Sequence, residues 1–317
     1  MSLTAPISRG KDFLSILDLA PDGLDRLLQM ASQMKADRRL GRQAPTASAL
    51  NGAHVALLFE KPSLRTRSTF EIAVHELGGH TLDLPATLAE GVREPLEDVA
   101  RNLERWVRSV VIRTFGQSKA EMFARTAPGL QVVNALTDEQ HPCQALADVL
   151  TMRERWGQPR GRTVAYVGDG NNVATSLAHA SCMLGIHVHV ASPVGYELPP
   201  SVLAEAAGVA AHGARIRLFT DPAQAVAGAD AVYTDVWASM GEEAEADARR
   251  AIFAPYQVNA ALMAAALPGA IFMHCLPAHR GEEVSAEVME STASVVFDQA
   301  ENRLHTQKAL LAMLLGA

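Results

Sequence analysis

The sequence predicts an α/β protein built from two doubly wound parallel-sheet domains. Three observations carry that prediction. Short apolar runs of strand length alternate with amphipathic stretches of helical period along most of the chain. The alternation pauses once, in the polar stretch 157–162 that holds Gly and Pro, and then resumes. A chain of 317 residues is also long for a single domain, and two is the better expectation. The expected domains are 1–150 and 151–299, with a C-terminal helix over 300–317 packing back on the first.

Taken in order, residues 18–39 read as a helix with Leu19, Leu24, Leu27, Leu28, Met30 and Ala31 on its apolar side. Residues 48–53 lead into an apolar strand at 54–59. Pro62 stops that strand, Ser63 is a helix N-cap, and Phe70, Ala73, Val74 and Leu77 follow at helical spacing until Gly78-Gly79. Residues 80–84 are a strand, 85–94 a loop without periodicity, and 97–108 a helix with Val99, Leu103, Trp106 and Val107 inward. A strand at 109–113, a helix at 118–126, a strand around 132–133 and a helix at 141–156 complete the first alternation. The second has strands at 163–167, 187–191, 215–219, 231–234 and 270–274. Helices at 173–184, 203–213, 222–227 and 259–266 lie among them, and 301–315 is helical and apolar on one face.

Composition narrows the function classes. Hydrophobic residues make up 48% and charged residues 20%, the balance of a globular protein with sizeable cores. A net charge of −7 and the absence of any basic run argue against nucleic acid. No apolar run is long enough to span a bilayer. Residues 1–11 are polar and mixed rather than a leader peptide, so cytoplasm is the expected compartment. Cys143, Cys182 and Cys275 are too few and too scattered for a disulfide framework. No cluster has metal-ligand spacing, and neither a metal nor a cofactor is expected.

Ligands of open α/β sheets sit beyond the carboxyl ends of the strands. The unusual polar clusters fall there. Ser63-Leu64-Arg65-Thr66-Arg67 puts hydroxyls and two guanidinium groups on the first turn of a helix. The free N–H groups and positive dipole end suit a doubly charged phosphate. Arg113 ends a strand. His141 opens a helix with Gln144 one turn along, a pair that can hold a carbonyl or amide. Gly168-Asp169-Gly170-Asn171-Asn172 is not a dinucleotide fingerprint. Val173 stands where a third glycine is needed, and no acidic residue ends the next strand. Asp235-Val236-Trp237-Ala238-Ser239-Met240-Gly241 follows a strand, and with Glu242-Glu243 it makes a candidate lid. His274-Cys275-Leu276-Pro277 follows another strand and turns.

These segments, with Asp298 to His305, occur in the order and spacing of the ornithine branch of the aspartate/ornithine carbamoyltransferase family, over nearly the whole chain. Leu64 stands where the family's phosphate loop has Thr. The Asp-x-x-x-Ser-Met-Gly segment is the most specific part, since it marks ornithine enzymes off from aspartate ones. The resemblance implies two α/β domains with the active site in the cleft between them. It implies that Ser63, Leu64 (through its backbone), Arg65, Thr66 and Arg113 hold the phosphate of carbamoyl phosphate. His141, Gln144, Thr66 and Arg303 would address its carbamoyl group. Cys275 and the Leu276 carbonyl would face the carbamoyl nitrogen and the attacking amine. Asn172, Asp235, Ser239 and Met240 would bind L-ornithine. Arg65, His141 and Cys275 are the catalytic residues on this reading. The products would be L-citrulline and phosphate, in arginine metabolism, and the assembly a homotrimer or a multiple of trimers. The family's neighbouring-subunit Gln has no counterpart, because Ala89-Glu90-Gly91 occupies its region.

Two rival readings follow. One is transfer to another amine, such as aspartate, putrescine or an N-acylated ornithine, against which Asp235 and Ser239-Met240 favour free ornithine. The other is a non-catalytic sensor on the same fold, against which Arg65, His141 and Cys275 stand.

Overall fold

Pro21 starts the first long helix, α1 (Pro21–Asp37), because its fixed φ suits a first turn that needs no N–H there. Asp18, expected inside that helix, belongs instead to a separate 3-10 turn. Its carboxylate accepts the Leu14 and Ser15 amides while Ser15 Oγ accepts from Leu17 N. This computed structural model describes residues 12–238 and 245–316. The first alternation continues as β1 (His54–Phe59), α2 (Leu64–Glu76), β2 (His80–Leu84), α3 (Leu96–Trp106), β3 (Ser109–Arg113), α4 (Gln117–Thr126), β4 (Gln131–Leu136) and α5 (Pro142–Trp156). The second runs β5 (Thr163–Val167), α6 (Asn172–Met183), β6 (His187–Ala191), α7 (Pro200–Val209), β7 (Ile216–Phe219), α8 (Pro222–Val226), β8 (Ala231–Thr234), α9 (Ala246–Phe253), α10 (Ala260–Ala264), β9 (Ile271–His274), α11 (Ala286–Met289) and α12 (Val296–Leu315).

The chain divides into two compact units, Met1–Leu150 with Glu301–Ala317, and Thr151–Ala300. The division falls inside α5 rather than in the polar stretch 157–162, because that helix runs unbroken to Trp156 before Gly157 turns it at φ 69°. The first unit holds a parallel sheet ordered β2-β1-β3-β4 among the described residues. Both faces of β1 are buried, as continuous apolar runs in parallel sheets require. One face packs Ala56, Leu58, Val110, Ile112 and Val132 against Val99, Ala100 and Leu103 of α3 and Ala120 and Phe123 of α4. The second unit holds a parallel sheet ordered β7-β6-β5-β8-β9. There Ala165, Val167, Ala191, Val232 and Phe272 pack with Ala225 and Val226 of α8 and Val288 and Met289 of α11. The two parallel-sheet α/β domains expected from the sequence are therefore present.

Several local readings need correction. Trp106 is not inward but 66% exposed. α3 ends on it, while Val107, in extended backbone at φ −128°, is buried as expected. The loop 85–94 contains a 3-10 turn, Ala86–Glu90, closed by Gly91 in the left-handed region. α7 begins at Pro200, before the expected 203, again because proline suits a first turn. α9 was not anticipated: it buries only Arg249 and Phe253, too little for an apolar stripe. α12 begins at Val296, ahead of the expected 301. Among the described residues no helix is long and apolar enough to cross a membrane.

Strand order also places the ligand-facing ends. In the first sheet the order reverses between β1 and β3, and in the second between β5 and β8. Open α/β sheets bind ligands outside the carboxyl ends of the strands at such points. The segments after these strands are the polar clusters singled out above.

Candidate functional site

The first unit assembles a cationic set around one neutral base. Ser63 caps α2, its Oγ accepting Thr66 N–H at 3.2 Å. That leaves the first turn to Leu64, Arg65 and Thr66. Leu64 is 76% exposed while Thr66 is buried, so the leucine replaces a hydroxyl where its side chain packs against little. The two arginines of this turn part company. Arg67 pairs with Asp83 and lies over the Phe59 ring, 5.2 Å from its centroid. The charge of Arg65, with those of Arg113 and Arg303, acts on the buried His141 ring.

Arg113 sits at a register shift between Ile112 and Arg113 where β3 pairs β4, an irregularity that re-aims a side chain at a strand end. Arg303 comes from α12. Its Nη1 donates to Gln144 Oε1 at 2.6 Å and its Nη2 to Thr66 Oγ1 at 3.0 Å. Gln144 Nε2 in turn donates to Asp148 Oδ1 at 2.8 Å. Burial first, then the charges of Arg303, Arg113 and Arg65, push the His141 imidazole well below its ordinary 6.5. Near pH 7 it is a neutral ring among three guanidinium groups. Such a set can grip an anion from several directions and still present an uncharged hydrogen-bonding group.

Other groups here were not flagged by the sequence. Lys61, buried, pairs with Asp138 at 2.5 Å and lies 4.2 Å from the Phe115 ring centroid. Glu60 accepts Thr114 Oγ1 and, at 2.8 Å, Lys119. Cys143, beside His141, has its thiol pushed up to about 12 by burial and donates to Asn134 O, so it is inert.

The second unit assembles neutral donors around one acid. Asp235 follows β8 and is buried. Asn171 Nδ2 donates to its Oδ2 at 2.9 Å, and Cys275 Sγ donates to its Oδ1 at 2.8 Å. Asn171 does more than that. Its Oδ1 caps α6 by accepting Val173 and Ala174 N–H, and it also accepts Tyr166 OH at 3.2 Å. Asn172 is the first residue of α6. The sequence singled out Asn172; the structure adds Asn171 as the residue that orients Asp235.

Cys275 and Leu276 follow β9. Leu276 N–H donates to His274 Nδ1 at 2.8 Å, so His274 carries its proton on Nε2, facing Glu283 Oε1 at 3.1 Å. Glu283 also accepts His279 N–H at 2.6 Å. Leu276 lies at φ 60° before a cis bond to Pro277. The ligand atoms of Asp235, His274 and Cys275 lie within 4.8 Å of one another, a proximity invisible in the linear spacing. Both ring nitrogens of His274 are already engaged, by Leu276 N–H and Glu283, while Cys275 bonds Asp235. Ser239, Met240 and the rest of the segment read as a lid, through Glu243, lie outside the described residues.

Residues 11–154 match the family model for the carbamoyl-P binding domain of aspartate/ornithine carbamoyltransferases, and residues 160–314 match the model for the Asp/Orn binding domain. The chain belongs to the aspartate/ornithine carbamoyltransferase family. Among curated members, an ornithine carbamoyltransferase from Acidothermus cellulolyticus is 51% identical over 310 residues, 97% of each chain. One from Thermosynechococcus vestitus is 49% identical over 97% of this chain and 96% of its own. Among solved family structures, the ornithine carbamoyltransferase from Pyrococcus furiosus is 46% identical, with a TM-score of 0.91 over 98% of both chains. That from Thermus thermophilus is 45% identical, with a TM-score of 0.86 over 96% of this chain and 99% of its own.

Proposed function

We propose that this protein transfers the carbamoyl group of carbamoyl phosphate to the δ-amine of L-ornithine, giving L-citrulline and phosphate. The observation that carries the reading is the bonded set at the Ser63-capped first turn of α2, where Arg303 donates to both Thr66 and Gln144 and the charges of Arg303, Arg113 and Arg65 act on the buried His141. The family relationship supports the same chemistry. So does the acid-centred set of the second unit, since a carboxylate held by neutral donors suits the ammonium of a zwitterion.

The neutral δ-amine attacks the carbamoyl carbon and a C–N bond forms. Negative charge grows on the carbonyl oxygen, where Arg65, Thr66 and His141 receive it. The C–O bond to phosphate then breaks, and the leaving phosphate takes the proton shed by the nitrogen. Ser63, the Leu64 backbone, Arg65, Thr66 and Arg113 hold that phosphate. Gln144 and Arg303 fix the carbamoyl group. A positive imidazolium would repel the three arginines, so the downward shift of His141 keeps it a neutral donor at working pH. Cys275 and the Leu276 carbonyl face the carbamoyl nitrogen and the amine. Asn172, Asp235, Ser239 and Met240 bind ornithine. The reading requires no covalent enzyme intermediate, and it includes assembly as a homotrimer in the cytoplasm.

The test is citrulline formation from carbamoyl phosphate with a panel of acceptors: ornithine, putrescine, N-acetylornithine and aspartate. Turnover should be confined to ornithine. Good turnover of aspartate or N-acetylornithine would overturn the substrate assignment, and no turnover of any acceptor would overturn catalysis.

A further inference from the structure

Asp235 is not the only carboxylate at the ligand-facing end of the second sheet. Asp169 follows β5, which is the neighbour of β8 in the sheet. The two strand ends are close: Thr234 Oγ1 donates to Val167 O at 2.7 Å, and the Asp235 carbonyl lies 4.0 Å from where a Cβ on Gly168 would stand. Both carboxylates act on the same phenol. Burial, then Asp235, Cys275 and Asp169, push Tyr166 well above its ordinary value.

The two acids differ in what meets them. Asp235 is met, among the described residues, by the neutral donors Asn171 and Cys275. Asp169 is met by the Arg249 guanidinium, a buried group on α9. Arg249 Nη2 donates to the Asp169 carboxylate, and its Nε donates to the Trp237 carbonyl at 2.5 Å. The guanidinium carbon lies 5.0 Å from the Tyr196 ring centroid and 5.5 Å from that of Phe253. Glu245 stands 4.0 Å away and is mostly exposed. One planar fork therefore neutralises the strand-end carboxylate and anchors the chain leaving Asp235. A point-charge ammonium could not make both contacts in the same geometry.

We propose that Arg249 is a positioning residue for the acceptor amino acid: it cancels the charge of Asp169 and ties Trp237 to it, reserving the charge of Asp235 for the substrate ammonium. The proposal rests on the carbamoyl-transfer reading above. Without Arg249, the partly buried Asp169 carboxylate would compete with Asp235 for the ammonium.

Steady-state kinetics with ornithine varied at saturating carbamoyl phosphate test this in wild type, Arg249→Gln, Arg249→Lys, Asp169→Asn and the double variant Arg249→Gln/Asp169→Asn. Calorimetric titration of carbamoyl phosphate reports whether each variant keeps a folded first unit. Arg249→Gln should raise the ornithine KM about tenfold or more with kcat changed far less. Asp169→Asn should raise it too, because the guanidinium, relieved of the Asp169 charge, opposes the ammonium. The double variant should recover most of the loss, within about threefold of wild type. Arg249→Lys should fall between wild type and Arg249→Gln, and it carries the test if the glutamine variant does not fold. An unchanged KM in both Arg249 variants would overturn the proposal. So would a double variant as impaired as Arg249→Gln with normal carbamoyl phosphate binding, since a purely structural role gains nothing from removing Asp169. A wild type inactive on ornithine would instead sink the underlying reading, before any variant is compared.

Discussion

The two units solve opposite electrostatic problems with the same sheet architecture. The first sets the charges of Arg303, Arg113 and Arg65, from α12, β3 and α2, on a buried base that burial first, and those charges second, keep neutral. The second surrounds one carboxylate with neutral donors and cancels a second carboxylate with a buried arginine. In both, the charge that a strand end presents depends on what its neighbours pair with. The local turn shows the same rule. Arg65 and Arg67 lie two residues apart, yet Asp83 takes Arg67 and leaves Arg65 to the His141 set. Counting charged residues near a strand end therefore says little until their partners are known.

The comparison breaks most visibly at Arg65. Arg65→Ala should lower kcat by about a hundredfold to a thousandfold, roughly 3–4 kcal/mol of lost stabilisation of the developing charge. Circular dichroism should remain that of the wild type. A folded variant within a few-fold of wild type would remove the phosphate-loop assignment. Next comes Asp235→Asn. It should raise the ornithine KM roughly thirtyfold, about 2 kcal/mol, by removing the one acid matched to the ammonium.

Smaller effects sharpen the contrast between the buried histidine of the anion set and a buried histidine outside it. His179 is fully buried on α6, and burial pushes its imidazole down to about 4. In the unfolded chain it titrates near its ordinary 6.5. Below pH 6.5 the unfolded state thus binds the extra proton, and native stability falls as pH drops toward 4. His179→Gln should lose about 2 kcal/mol less than wild type between pH 7 and pH 5, read by urea denaturation at both pH values. Its kcat at pH 7.5 should match wild type. An unaltered pH dependence of stability would contradict the assignment. The smallest effect is expected at the cap: Ser63→Ala should cost about 1 kcal/mol of stability, seen as a shift in urea midpoint.

What was legible in the sequence was local or periodic. The strand–turn–helix at Phe59 to Phe70 is specified by an apolar run, a proline, an N-cap and helical spacing, all within a dozen residues, and it forms as expected. Partnerships over long separations were not legible from spacing. Arg303 reaches Thr66 across 237 positions, and only the family resemblance singled it out. Arg249, and the bond by which Asn171 of the polar cluster holds Asp235, were not legible for the same reason: the partners Asp169 and Asp235 lie 80 and 64 positions away. Trp106 misled because an indole at the end of a helical pattern looks apolar, and the pattern does not reveal that α3 stops there.

The central claim is that anion and zwitterion recognition belong to separate charge sets in separate units. Carbamoyl phosphate affinity by calorimetry, measured on Asp235→Asn and Arg65→Ala side by side, tests it most directly. The account predicts near wild-type affinity for Asp235→Asn and at least about a tenfold loss for Arg65→Ala. Equal losses in the two variants would contradict it.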